Sequence, residues 1–150
     1  MRRTIVTGGA GFVGNAVVRE LLRHNVDVWV LVRPGFSEKL KGSRLDGLNV
    51  HLVECDLREI SKLPSLIDCR GFDAWYQFAW EGLFGEDLLD YHQQIANVEW
   101  VLDAICVAKE VGCSKFIGSG SISQYELGVK DGQGNPGDKH RVYKTAKLAC

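Results

Sequence analysis

No apolar run in these 150 residues is long enough to cross a bilayer as a helix. An excess of either sign of charge is missing as well. The net charge is −1 and acidic and basic residues are interspersed, so no nucleic-acid footprint or membrane-surface patch stands out. Arg2 and Arg3 precede an apolar stretch that breaks at Gly8 and Gly9, a pattern that does not fit a signal peptide. No CxxC pair occurs. The five cysteines, Cys55, Cys69, Cys106, Cys113 and Cys150, are odd in number and lack the spacing of metal ligands. They predict free, mostly buried thiols in a reducing cytoplasm. The four histidines are scattered and read as structural or surface residues. What remains is an ordinary globular composition, long enough for one domain with a sizeable core.

Within that frame the stretch Thr4–Gly14, TIVTGGAGFVG, organises the chain. The β-branched run from Thr4 to Thr7 predicts a buried strand. A glycine turn follows at once, and then a helical pattern with Val13, Ala16, Val17 and Leu21 on one face. Strand, glycine turn and helix form the context of a dinucleotide-binding fingerprint, read as Gly9-x-Gly11-x-x-Gly14 or as Gly8-x-x-Gly11-x-x-Gly14. Residues without a Cβ let the backbone approach a pyrophosphate. The helix N-terminus then meets the anion with free N–H groups and the positive end of its dipole.

Further along, the first helix ends near residues 23–25, with Asn25 as a left-handed stop. Asp27–Val32 is a second strand, apolar enough to be covered on both faces. Arg33 stands at its end, 19 residues after Gly14. An acidic residue there would accept from a ribose 2′-OH, whereas an arginine pairs with a 2′-phosphate and points to NADP; a plain surface arginine is the other reading. Ser37, Lys39 and Arg44 are further donors in the following loop, residues 34–48. Residues 50–54 predict the third strand. Asp56 accepts from an adenine amino group, caps the next segment, or does both. Leu57–Cys69 reads as a helix broken at Pro64. Residues 73–80 predict the fourth strand and its exit. There Ala79 lets a cofactor lie close, and Trp80 is either part of that wall or packing. Residues 86–111 read as one long helix ended by Gly112, with Asn97 either a solvated residue or a holder of water near the site. Residues 115–118 predict the fifth strand, with a serine-rich exit at the edge where open α/β sheets bind ligands. Residues 127–141 predict a loop, and a last helix begins at Arg141.

That helix carries Tyr143 and Lys147, four residues apart and so on one face. A phenol has a pKa of about 10 and is a poor base at neutral pH. A nearby ammonium favours the phenolate, which can then exchange a proton with an alcohol or carbonyl oxygen. Ser121 can hold that oxygen. A solvated helix face is the alternative for a Tyr–Lys pair taken alone.

In order along the chain, TGGAGFVG at 7–14, Asp56-Leu57, FAW at 78–80, Asn97, FIGSGS at 116–121 and YKTAK at 143–147 resemble the motifs of extended short-chain dehydrogenases/reductases of the NAD-dependent epimerase/dehydratase type. The resemblance implies a doubly wound α/β domain over residues 1–150, with parallel strands in the order 3-2-1-4-5. It implies Ser121, Tyr143 and Lys147 as the catalytic group. Cofactor contacts follow at Gly8, Gly11, Phe12, Val13, Gly14, Arg33, Asp56, Leu57, Phe78, Ala79, Trp80, Asn97, Tyr143 and Lys147. It further implies a nucleotide-linked sugar as substrate and a homodimer through the 86–111 and 141–150 helices. Three departures shape the expectation. Arg33 favours NADP over NAD. Ile122-Ser123 follows Ser121 where 4,6-dehydratases carry Asp-Glu, so epimerisation or keto-sugar reduction is expected rather than dehydration. The sequence stops at Cys150, before the sixth strand and substrate domain of the family, so a fragment is expected. The rival readings are a dinucleotide-binding module without catalysis and a reductase of a non-sugar ketone.

Overall fold

Five apolar runs become strands in a computed structural model that describes residues 2–123 and 140–150. They are β1 (Arg3–Thr7), β2 (Asp27–Val32), β3 (His51–Glu54), β4 (Ala74–Gln77) and β5 (Phe116–Gly118). All four pairings are parallel, and the order is β3-β2-β1-β4-β5. This is the expected doubly wound sheet. The helices are α1 (Phe12–Arg23), α2 (Leu63–Leu66), α3 (Tyr91–Glu110) and α4 (Arg141–Leu148). Two compact units form, Met1–Ala79 with Asp103–Gly118 and Trp80–Leu102 with Ser119–Cys150.

The first unit holds the sheet, with β1 at its centre. Successive side chains of a strand point to opposite faces. Ile5 therefore joins Leu31, Phe72, Trp75, the α3 residues Ala104, Val107 and Ala108, and Val111 just beyond that helix. Val6 joins Val18 of α1 with Val28, Val30, Val32 and Leu45. Both are almost wholly buried, each burial contributing about 1.5–3 kcal/mol before entropy is counted. Helix α1 ends as expected, with Asn25 in the left-handed region at φ 54°.

Several expectations need correction. The 86–111 segment is not one helix. Gly85–Leu88 is a separate 3₁₀ turn, and α3 starts at Tyr91. The Asp90 carboxylate accepts from the backbone N–H groups of His92 at 2.9 Å and Gln93 at 3.3 Å, a cap that the apolar periodicity runs straight through. The 57–69 segment is a 3₁₀ turn over Leu57–Lys62 followed by α2. Its break lies at Glu59, whose backbone is non-helical. Pro64 does not interrupt a helix. It sits in the first turn of α2, where an N–H would have no partner anyway. The thiols are free, but Cys55 alone is buried. Cys69 and Cys113 are half-buried, while Cys106 and Cys150 are exposed, Cys106 on the outer face of α3 and Cys150 beyond the end of α4. The loop expected at 127–141 lies outside the described residues up to 139. No helix among the described residues is long and apolar enough to cross a membrane.

Candidate functional site

The glycine turn is shaped by atoms that would collide with a side chain. Gly8 has φ 69°, and a Cβ there would lie 2.7 Å from the Ala79 nitrogen. A Cβ on Gly14 would lie 2.3 Å from the Gly8 carbonyl oxygen. The turn is therefore pressed against the exit of β4 on one side and against the first turn of α1 on the other. Gly11 N–H donates to the Gly8 carbonyl at 2.9 Å, and Gly11 is the N-cap of α1, with no side chain capping it. The first N–H groups of a helix have no intrahelical acceptor, and no acidic residue stands in the first turn. Phe12 and Val13 in that turn are exposed. A cradle lined by backbone donors and emptied of side chains fits a diphosphate.

Thr7 fixes the second wall. Its hydroxyl accepts from the backbone N–H groups of Phe78 and Ala79, each at 3.2 Å, and the residue is buried. The buried Gln77 takes the Trp75 indole N–H at 3.0 Å and donates to the Ala79 carbonyl at 3.2 Å. The sequence marks Thr7 as part of the strand and motif but not for this bond, and it does not mark Gln77, because such contacts leave no spacing pattern.

At the end of β2, Arg33 is exposed and its guanidinium has no hydrogen-bond partner among the described residues. The loop after it is held by Glu54, which accepts from Gly35 N–H and Ser37 N–H, both at 2.9 Å. These bonds, that of the Ser37 hydroxyl first, hold the Glu54 carboxyl below its ordinary range. Ser37 is thus spent on Glu54, while Arg44 reaches the Ala10 carbonyl in the glycine turn at 3.3 Å. Asp56 takes the capping role. Its carboxylate accepts from Arg58 N–H at 2.9 Å, and Leu57 packs against the core. Burial pushes the thiols of Cys55 and Cys113 up to about 11, which leaves them protonated at neutral pH.

The second unit gathers the other candidates. Helix α4 carries Tyr143, half-buried, and Lys147, only 7% exposed. The Lys147 ammonium donates to the Ser119 carbonyl at 3.2 Å and lies 3.6 Å from the centre of the Trp80 ring. Tyr143 meets the same ring edge-on, with centroids 6.2 Å apart. Burial pushes the Lys147 ammonium down to about 8, with the charge of Cys150 pulling the other way. Ser121 is half-buried and its hydroxyl accepts from Ser123 N–H at 3.3 Å. Asn97 is buried, which removes the solvated reading. Its carboxamide accepts from Glu81 N–H at 2.8 Å and donates to the Glu81 and Gln93 carbonyls, each at 2.9 Å. Gln94, another residue without a sequence signal, accepts from the Trp80 indole N–H at 2.9 Å. Of the candidate residues, Gly8, Gly11, Phe12, Val13, Gly14, Arg33, Asp56, Leu57, Phe78 and Ala79 thus belong to the first unit. Trp80, Asn97, Ser121, Tyr143 and Lys147 belong to the second.

Comparison with known proteins adds a family. The model of the NAD dependent epimerase/dehydratase family matches residues 4–150. UDP-glucose 4-epimerase 4 of Oryza sativa subsp. japonica is 31% identical over 134 residues, which is 83% of this chain and 36% of that protein. The UDP-Glc/GlcNAc 4-epimerase from Campylobacter jejuni superposes with a TM-score of 0.75 at 20% identity, over 99% of this chain and 46% of that one. The UDP-glucose 4-epimerase from Bifidobacterium longum in complex with NAD+ and UDP gives 0.65 at 23% identity, over 97% and 46%. At these identities the two structures show the shared fold. The chain spans about a third of the length of the plant relatives it matches.

Proposed function

The chain belongs to the NAD dependent epimerase/dehydratase family, and on that premise we propose that it binds NADP(H) and handles the proton in epimerisation or keto reduction of a nucleotide-linked sugar. The observation that carries the reading is the pairing of Tyr143 and Lys147 on α4, with the ammonium withdrawn from water. The relatives' names, UDP-glucose 4-epimerases, support the substrate class. Residues 1–150 are, on this reading, a dinucleotide-binding domain.

Tyr143 is the acid/base, and Lys147 stands one helical turn away on the same face of α4. As phenolate, Tyr143 takes the proton of a sugar hydroxyl that is being oxidised; as phenol, it returns a proton to the carbonyl oxygen that is being reduced. Ser121 holds that oxygen by a hydrogen bond. The dinucleotide, when bound, supplies the hydride acceptor and donor. Gly8, Gly11, Phe12, Val13 and Gly14 would hold its pyrophosphate, and Asp56 and Leu57 its adenine. Phe78, Ala79, Trp80 and Asn97 would shape the floor beside it, and Lys147 would bond its ribose. The unpartnered Arg33 guanidinium favours a 2′-phosphate and hence NADP; NAD, named with the Bifidobacterium longum enzyme, is the alternative. Ile122 and Ser123 after Ser121 offer no acid pair for eliminating water, which favours epimerase or reductase over 4,6-dehydratase.

A homodimer through α3 and α4 is part of the proposal. An apolar groove of about 480 Å³, lined by Tyr91, Ile95, Val98, Val142 and Ala146 among others, supports it. A cytoplasmic location rests on the five free thiols. The test is turnover of UDP-glucose, and of a UDP-linked keto-sugar with NADPH. Turnover that Tyr143→Phe abolishes while cofactor affinity persists is the expected result. Dinucleotide binding without turnover of either sugar would instead favour a binding module.

A further inference from the structure

Trp80 has a part beyond lining a cofactor cleft. We propose that Trp80 is a positioning residue for the acid/base pair: locked by Gln94, its indole presents its face to the Lys147 ammonium and meets the Tyr143 ring in a T-shaped contact. The inference rests on the reading of Tyr143 and Lys147 given above and extends it to the residue that seats them.

The lock is well determined. Gln94 is fully buried, and its two N–H groups donate to the carbonyls of Gly82 at 2.8 Å and Asp87 at 3.0 Å. With both donors spent on carbonyls, the amide oxygen can face only a donor, and it takes the Trp80 indole N–H. A flipped amide would set two carbonyls against an oxygen and an N–H against an N–H. Next along the chain, Asn97 clamps both backbone groups of Glu81. The indole is thus fixed at its nitrogen and its backbone at the following residue.

The ring then supplies what Lys147 lacks. No carboxylate pairs with this ammonium among the described residues; the groups around it are the Ser119 carbonyl, the Trp80 face and Cys150, two residues beyond the end of α4. Tyr143, on the same helix face, is the remaining titratable neighbour. A tryptophan face within 6 Å of a cation attracts it, and the attraction grows when the site is dry. The contact opposes the desolvation that drives the ammonium down, and it keeps the charge on the side of α4 that carries the phenol. A neutral ring holds the ammonium without neutralising it, so the charge stays available to the phenolate.

An ammonium over an indole changes the emission of that indole when it loses its proton. The test is a fluorescence titration of the full chain without cofactor, from about pH 6 to about pH 10. The expected result is a step with a midpoint near 8. It should vanish in Trp80→Phe and in Lys147→Met and survive in Tyr143→Phe, with far-UV circular dichroism unchanged. Gln94→Leu, which frees the indole, should displace the midpoint. A wild type without a step, or a step that persists in Lys147→Met, overturns the proposal. Should Trp80→Phe fail to fold, Lys147→Met decides alone. A titration with NADPH and NADH keeps the two readings apart. A step without dinucleotide binding refutes the function and leaves the Trp80–Lys147 coupling standing; binding without a step does the reverse.

Discussion

The turn at Gly8–Gly14 and the cluster around Trp80 are made of opposite materials. The turn works by what is missing: side chains at Gly8 and Gly14 that would collide with backbone, and a cap on the first turn of α1. Its donors are main-chain N–H groups, which carry no net charge and do not titrate. The Trp80 cluster is all side chain: an indole, a phenol and an ammonium, aligned by the amide of Gln94. A backbone site is fixed by sterics and suits an unchanging anion. A side-chain site can change its protonation, which acid/base work requires. The two should fail in different ways when mutated, and the contrast can be tested from the strongest effect downward.

Removing the phenol should act on chemistry alone. Tyr143→Phe is expected to cost about 10²–10⁴-fold in turnover, the usual worth of a general acid/base, with the affinity for the dinucleotide nearly intact. Turnover and binding, measured side by side in the longest active form of the protein, check this. Wild-type turnover in the variant would remove Tyr143 from the mechanism.

Filling the cradle should do the opposite. Gly14→Ala sets a methyl group 2.3 Å from the Gly8 carbonyl oxygen, so the turn must move. Binding should weaken, and stability should fall by about 1–3 kcal/mol as in other overpacked sites. Denaturant unfolding and cofactor titration read the two effects separately.

Arg33→Ala sharpens the comparison within the proposed cofactor site, because Arg33 is a charged side chain whereas the glycine turn offers main-chain donors. A lost charge-assisted pair is worth about 1.5–3 kcal/mol, or about 10–150-fold in affinity for NADPH. NADH binding should be spared. Equal losses for both cofactors would mean that Arg33 does not meet a 2′-phosphate.

The smallest effect belongs to Glu54. Hydrogen bonds from the Ser37 hydroxyl, Gly35 N–H and Ser37 N–H lower the pKa of its carboxyl in the folded state. A depressed carboxyl favours the ordered loop above its unfolded pKa, and that contribution is lost as pH falls through the folded value. Amide hydrogen exchange at Gly35 and Ser37 should therefore lose protection on acidification, once the intrinsic pH dependence of exchange is divided out. Glu54→Gln should show reduced protection already at neutral pH. An unchanged ratio would mean that the loop holds its shape without the carboxylate.

Much of this was legible in the sequence, for reasons that differ from one residue to the next. β1, the turn and α1 follow from local chemistry, since β-branched residues, glycines and an amphipathic pattern stand side by side. Strand order came through the resemblance to the family, because spacing along the chain does not record which strands are neighbours. The start of α3 escaped because the apolar period continues through Leu88, whereas Asp90 caps the helix through a carboxylate that the period does not record. Pro64 was misread because a proline in the first turn and one inside a helix look alike until the break at Glu59 is seen. The roles of Gln94, Gln77 and Thr7 were invisible: they bond to backbone or to indole groups as far as 72 residues away, and such contacts leave no spacing behind. Tyr143 and Lys147 stand out in the sequence by their spacing. Trp80, which touches both, stands 63 residues before Tyr143 and 67 before Lys147, separations that no helical period connects.

The most direct measurement is a titration of the purified chain with NADPH and then with NADH, following the quenching of its four tryptophans. Tight binding of NADPH and weak binding of NADH is the predicted result: it would mean that the glycine cradle takes a dinucleotide and that Arg33 selects the phosphate. A chain shown to be folded by far-UV circular dichroism that binds neither cofactor would contradict the account.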